Sequence, residues 1–321
     1  MMKRFISKYG GVILGAIYGL LLRFIFNFND ISESIFGFNL FSVSFIWVAP
    51  VIIGIIPLIF ATNKQLENPA YSILSPVLTV LIFFTFALLT RIEDLVCIIV
   101  ITFPFMLGAM IGGFVFSKML KNIKRKKGII YSIILVPFLS AIIENKFDTP
   151  INIYSAESTV VISSTEDVIW QNIVRVKKID EKEYNKGFLN YAGIPRPLFA
   201  ELDKDTVGAK RIGHFEGGLT FEEKVTSWKR NQEVAFDITV VPSSIRETVF
   251  DQHILKGRHF KFINATYKLN KINNNKIILT LSSSYELQTN INSYSSFWGH
   301  YLLTDFQDRL LSVIKQRAER Q

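Results

Sequence analysis

Along the first 143 residues the chain alternates between long apolar runs and short polar connectors, and beyond residue 144 the pattern shortens to strand and helix periods. Five runs stand out, at 11–26, 40–61, 71–89, 95–116 and 128–143. A helix that crosses a bilayer needs about 20 apolar residues, with about 17 as the usual lower limit, so the three middle runs meet the requirement and the outer two are short. Read together, they predict an all-helical membrane region of about five spans over residues 1–143. A linker is expected at 144–157, followed by a water-facing domain at 158–321 in which strands alternate every second residue.

In that domain, "SSTEDVIWQNIV" changes period from strand to helix. Ser164 or Thr165 is placed to cap it, and Val168, Trp170, Ile173 and Val174 form its inner face. A proline-containing loop, "YAGIPRPLFAELD", precedes five strand-like stretches within residues 209–290, the last two joined by the turn "NNN". Residues 295–319 close the chain as one amphipathic helix. At about 100° per residue Trp298, Leu302, Phe306, Leu310 and Val313 share an apolar stripe, while His300, Thr304, Gln307 and Asp308 point away. Gly299 falls inside that stripe, where it costs a helix about 1 kcal/mol relative to alanine. Two readings fit it: space left for a ligand, or a bulky strand residue such as Phe236 or Phe262 packed on bare backbone.

Charge separates the two regions. The first 143 residues hold 12 Lys and Arg against 5 Asp and Glu, whereas the remainder is nearly balanced. The basic excess therefore belongs to membrane flanks and argues against a nucleic-acid partner. Lys3, Arg4, Lys8, Lys64 and the cluster from Lys118 to Lys127 fall on one side of five alternating spans, which predicts a cytoplasmic N-terminus in a bacterial-type inner membrane and an extracytoplasmic C-terminal domain. If the last short run does not cross, the domain lies on the cytoplasmic side. Arg23, near the outer end of the first run, is expected to snorkel. Glycines at four-residue spacing, Gly11, Gly15 and Gly19 and again Gly108 and Gly112, let helices approach closely, within one chain or between copies in an oligomer.

The stretch "VVISSTEDVIWQNI" and the terminal helix ending "LLSVIKQRAE" resemble the first strand, Trp-containing first helix and last helix of the START-like, or SRPBCC, superfamily of polyketide cyclase-like proteins and ligand carriers. The resemblance covers about residues 158–319 and implies an α+β helix-grip fold, an antiparallel sheet wrapped around a long C-terminal helix. It also implies a cavity between them for a hydrophobic small molecule. Candidate lining residues are Trp170, Phe236, Phe262, Tyr267, Trp298, Gly299, Leu302 and Phe306, with Arg211, His214, Glu222 and His253 as polar groups that could orient a ligand. The expected function is membrane-anchored binding of a lipid-like ligand, with membrane lipids as the partner.

Two other readings stay open. His214 beside Glu222 or Glu223 would make an acid–base pair for an enzyme acting on an apolar substrate, and a filled core would suit a sensor or assembly module that binds a protein. The four histidines show no metal-ligand spacing, no phosphate loop or nucleophile elbow occurs, and no cofactor is implied. The one cysteine, Cys97, lies in the fourth apolar run. Asn264 fits a glycosylation acceptor pattern but sits in a strand-like stretch.

Overall fold

A computed structural model describes residues 2–26, 36, 38–122, 132–273 and 275–321. The acidic loop with Asp30 and Glu33, the basic residues Lys124–Lys127, the start of the fifth apolar run and Asn274 of the expected turn lie outside the described residues. The chain divides into two compact units, residues 1–149 with 289–291, and residues 150–288 with 292–321.

The first unit is helical: α1 (Met2–Ile25), α2 (Ala49–Ile59), α3 (Asn63–Glu67), α4 (Pro69–Leu89), α5 (Leu95–Asn122) and α6 (Val136–Glu144). Two of these helices are long and apolar enough to cross a membrane, over Pro69–Leu89 and Leu95–Met119, and the apolar helices at Tyr9–Ile25, Ser44–Ile59 and Ile133–Glu144 are shorter. Among the described residues, therefore, five full-length spans do not form. The run at 40–61 shows why. Pro50 has no N–H to donate one turn back, so the chain winds as a π-turn over Ser44–Val48 and becomes α-helical only at Ala49. The carboxylate of Glu144 caps that start, accepting from the backbone N–H of Val43 at 2.8 Å and of Ser44 at 2.9 Å, and from the Ser44 hydroxyl at 2.7 Å.

The spaced glycines are used inside the chain. A Cβ on Gly112 would run into the Val51 carbonyl oxygen, and one on Gly54 into that of Ala109, so α2 and α5 touch backbone to backbone. Gly11, Gly15 and Gly19 are likewise filled by Pro57, Thr79 and Phe83. These glycine faces pack against other helices of the same chain. Arg23 does not snorkel. It is buried, with its Nε paired to the Glu93 carboxylate and Nη2 donating to the Ile92 carbonyl at 3.1 Å. Glu93 is the partner because it closes the hairpin between α4 and α5 at the level where α1 ends.

The second unit is one antiparallel sheet with helices. Its strands are β1 (Ile151–Ile162), β2 (Pro197–Leu202), β3 (Lys210–Phe215), β4 (Thr220–Lys229), β5 (Glu233–Val240), β6 (Phe260–Asn273) and β7 (Lys276–Gln288), in the spatial order β1-β7-β6-β5-β4-β3-β2. Three short helices, α7 (Glu166–Val174), α8 (Phe188–Tyr191) and α9 (Val249–Ile254), and the terminal α10 (Asn292–Arg320) complete it. The period-two pattern explains β7, in which every odd residue from Ile277 to Leu287 is buried. Strand β1 begins at Ile151 and so takes in half of the expected linker. Strand β2 lies in what reads as a proline loop. Pro197 is its first residue and β2 is an edge strand, where a missing N–H costs no ladder bond. Helix α7 has Thr165 at its N-cap, without a side-chain cap bond, and buries Ile169, Trp170, Ile173 and Val174, leaving Val168 at the rim.

Candidate functional site

Helix α10 lies mainly over β1, β7 and α7. Its buried meridian carries Leu303, Gln307, Leu310 and Ile314, about a quarter of a turn away from the expected stripe. Gln307, expected to face water, is fully buried. Its Nε2 donates to the Ala156 carbonyl at 3.2 Å and to the Ser283 hydroxyl at 3.0 Å. A bond pattern of this kind cannot be read from hydropathy, which scores Gln as a surface residue. Trp298, Leu302 and Phe306 stand half-buried on one flank of this meridian.

The interface between helix and sheet has a closed end and an aromatic end. At the closed end Trp170 packs edge-on to Trp228 at 5.1 Å, and Phe236 and Tyr267 meet edge to face at 6.5 Å beneath Leu310, Leu311 and Ile314. Burial pushes the Tyr267 phenol up to about 12. Trp170, Phe236 and Tyr267 are therefore core residues here. Arg211 belongs to the same end. Its Nη2 and Nε donate to the carbonyls of Ile173 and Val174 at 3.1 and 3.2 Å, Nη1 pairs with Glu223, and the guanidinium lies 5.0 Å from the Phe236 ring centroid. It ties the C-terminal end of α7 to the sheet, where a cation complements the helix dipole.

At the aromatic end a continuous row of rings crosses the sheet from α10 to its edge strand. Phe306 contacts Phe215 at 5.9 Å, Phe215 meets Phe221 at 5.0 Å, and Phe221 meets Phe262 at 5.4 Å. The row continues through Phe260 at 4.8 Å, Tyr285 at 5.5 Å and Tyr154 at 5.9 Å. Phe215, Phe260, Phe262, Phe306 and Tyr154 are only partly buried. Of these seven residues only Phe262 and Phe306 were candidates from sequence. A signal for Phe260 was present in "HFKF", where two aromatic residues keep the period of a single face, but which face was inward could not be read from one strand alone. Gly299 meets this row. A Cβ there would lie 2.8 Å from Cε2 and the hydroxyl of Tyr285, so the occupant of the space is a strand residue, but neither Phe236 nor Phe262. The Tyr285 hydroxyl donates to the Ser296 carbonyl at 3.1 Å, and burial pushes its pKa up to about 12.

The segment between β5 and β6 is pinned to the start of β4 and to the loop before β2. Ser244 bonds the Thr220 backbone, and Arg246 holds the buried Asp251 through Nε at 2.7 Å and Nη2 at 2.8 Å while Nη2 also donates to the Gly193 carbonyl at 3.1 Å. The Arg246 stem packs on Gly217, whose φ of 75° is the left-handed conformation that glycine adopts without strain. His253 lies on α9 of this segment. His214 and Glu222 are elsewhere: both point from the outer face. His214 stacks on Phe199 at 4.2 Å and its Nε2 lies 3.8 Å from Glu201, whereas Glu222 pairs with Lys210 at 2.7 Å. The acid–base pair expected from sequence is not assembled, because Glu223 faces inward to Arg211 and Glu222 outward to Lys210.

On the other flank of α10 a groove of about 470 Å³ runs beside β1. It is lined by Tyr154, Ser155, Tyr285, Ser293, Ser296, Phe297, His300, Tyr301 and Thr304. Among the described residues no group of three or more His, Cys, Asp and Glu side chains could hold a metal ion.

No family model and no curated protein matches the chain. Among solved structures, an uncharacterised protein from Bacillus thuringiensis is 11% identical, with 52% of this chain and 100% of that one covered and a TM-score of 0.34. One from Nitrosospira multiformis is 10% identical, with 51% and 96% covered and a TM-score of 0.32. One from Arthrobacter aurescens is 14% identical, with 52% and 87% covered and a TM-score of 0.33. Likenesses at this level assign neither a family nor an activity.

Proposed function

We propose that the chain is a membrane-embedded helical bundle carrying a START-like helix-grip domain, and that this domain binds an apolar, lipid-like ligand at the aromatic end of its sheet. The observation that carries the reading is the row from Phe306 to Tyr154: half-buried rings face helix α10 at one end, whereas the other end is filled by fully buried side chains. Rings left partly open in this way offer apolar area worth about 25 cal/mol per Å² to a ligand that covers them.

Insertion of the whole bundle, five passes included, is part of the same proposal. The helices of the first unit turn large apolar side chains outward, such as Leu14, Ile17, Leu21 and Phe24 on α1 and Leu139 and Ile143 on α6, and bury Ser72, Ser75 and Thr79 inside. That distribution suits lipid contact, and shorter helices can span where the bilayer thins around them. With five passes and the positive-inside bias, the N-terminus is cytoplasmic and the domain extracytoplasmic.

The test is native mass spectrometry of the full chain released from lipid nanodiscs, beside Leu302→Trp, which fills the helix flank that faces the ring row. A co-purifying lipid that is lost in a variant of unchanged melting temperature supports the reading. A wild-type chain that carries nothing, under conditions where it stays folded, rejects it.

A further inference from the structure

Charge is divided unevenly along α10. Residues 289–304 contain no Asp, Glu, Lys or Arg, whereas 305–320 contain Asp305, Asp308, Arg309, Lys315, Arg317, Glu319 and Arg320. The uncharged part holds Tyr294, Phe297, Trp298 and Tyr301 among serines, asparagines and one histidine. Phe297 and Tyr301, one turn apart, are 64% and 45% exposed, and both border the groove beside β1. Their rings lie 5.6 and 5.9 Å from that of Trp298. Aromatic residues mixed with small polar ones, without charge, are the composition of a surface at the boundary between water and lipid.

The start of α10 is tied to the start of β1. The side-chain amide of Asn292, at the start of α10, donates to the Pro150 carbonyl and to Asn152 Oδ1, both at 2.8 Å. The last helical turn after α6 ends where Phe147 N–H bonds the Glu144 carbonyl. Only residues 148 and 149 stand between Phe147 and Pro150, a reach of about 10 Å. Phe147, Ile151 and Ile153 are all exposed as well.

We propose that the uncharged first half of α10, with Phe297 and Tyr301 leading, rests in the headgroup layer of the bilayer that holds the helical region. The inference rests on the membrane reading given under Proposed function and adds a docking surface to it. An aromatic helix flank at the interface would hold the neighbouring ring row at the height from which a lipid can leave the bilayer.

The experiment uses the full chain with Cys97→Ala and one cysteine at a time, labelled with an environment-sensitive fluorophore, in nanodiscs of phosphatidylcholine with a minor share of phosphatidylglycerol and nitroxide-labelled lipid. Phe297→Cys reports on the proposed surface, Leu139→Cys on the outward face of α6, and Val207→Cys on the exposed turn between β2 and β3. Quenching at 297 comparable to that at 139, with 207 bright, is the expected result. Quenching at 139 with 297 as bright as 207 overturns this inference and leaves the membrane reading standing. No quenching at 139 overturns both. If 297 is shielded from aqueous iodide yet unquenched by lipid, and cross-links to itself, a second copy covers the surface and the inference fails.

Discussion

The phenol of Tyr285 occupies the place where Gly299 lacks a side chain, with ring carbons and hydroxyl 2.8 to 2.9 Å from the position a Cβ would take. A methyl group at 299 cannot enter unless the ring moves off the Ser296 carbonyl. Overpacking of this sort costs about 1–3 kcal/mol, and alanine returns about 1 kcal/mol in helix propensity. Gly299→Ala is therefore expected to lower the melting temperature of the C-terminal domain by a few degrees, on the order of 2–4 °C per kcal/mol. In a Tyr285→Leu background the same alanine should be neutral or stabilising. A stabilising Gly299→Ala in the wild-type chain would mean that the space is empty and that the ring is not its occupant.

Arg211 and Glu223 form a buried pair, with side-chain exposures of 6% and 13%. Arg211→Ala leaves that carboxylate without its partner and uncaps α7, and a loss of about 3–5 kcal/mol is expected in denaturant unfolding. The paired change Arg211→Met with Glu223→Leu should recover the part due to the unpaired carboxylate, since no charge stays buried, while the part due to the freed Ile173 and Val174 carbonyls remains. Removing Lys210 from Glu222 on the outer face should cost less than about 1 kcal/mol.

His214→Ala and Glu222→Gln should leave any co-purifying lipid in place, and stability within about 0.5 kcal/mol of wild type, since both side chains stand on the outer face. Loss of ligand in either variant would return the acid–base reading to consideration.

Arg317 holds the Glu183 carboxyl below its usual range through bonds at 2.7 and 3.1 Å, while also donating to the carbonyls of Lys177 and Lys178. A carboxylate depressed in the folded state contributes stability above its unfolded pKa of about 4.3 and loses it as pH falls through the lower folded value. Hydrogen exchange in residues 177–186 should accelerate as pH drops from about 5 to 3 after correction for the intrinsic rate. Glu183→Gln should exchange faster at the upper pH and show little further change.

In the helical unit, Gly112→Ala pushes a methyl against the Val51 carbonyl. The expected outcome is a lower melting temperature in detergent, by the few degrees that an overpacking cost of about 1–3 kcal/mol implies, with unchanged cross-linking between copies. A normal melt with lost cross-linking would assign this glycine to an interface between chains.

Legibility from sequence followed how local the determinants were. Strands β6 and β7 and helix α10 carry their own periodicity over a dozen residues or more, and all three were readable. Strand β2 was not, since Pro195 and Pro197 read as loop and only its position at the sheet edge makes a proline acceptable. Gln307 and Arg23 were misplaced for one reason: each is a polar side chain whose burial depends on partners 151 and 70 residues away. The aromatic row was visible only at Phe262 and Phe306, because its members lie on five strands and a helix and become one surface only once the register is set.

Gln307 has one further consequence. With its amide engaged by both Ala156 and Ser283, and with Gly299 seated on Tyr285 two turns earlier, α10 is keyed to the sheet at two heights. A slide of one turn, about 5.4 Å, would unlock both keys at once and drive a side chain into the tyrosine. The two contacts therefore oppose any sliding of the helix along the sheet.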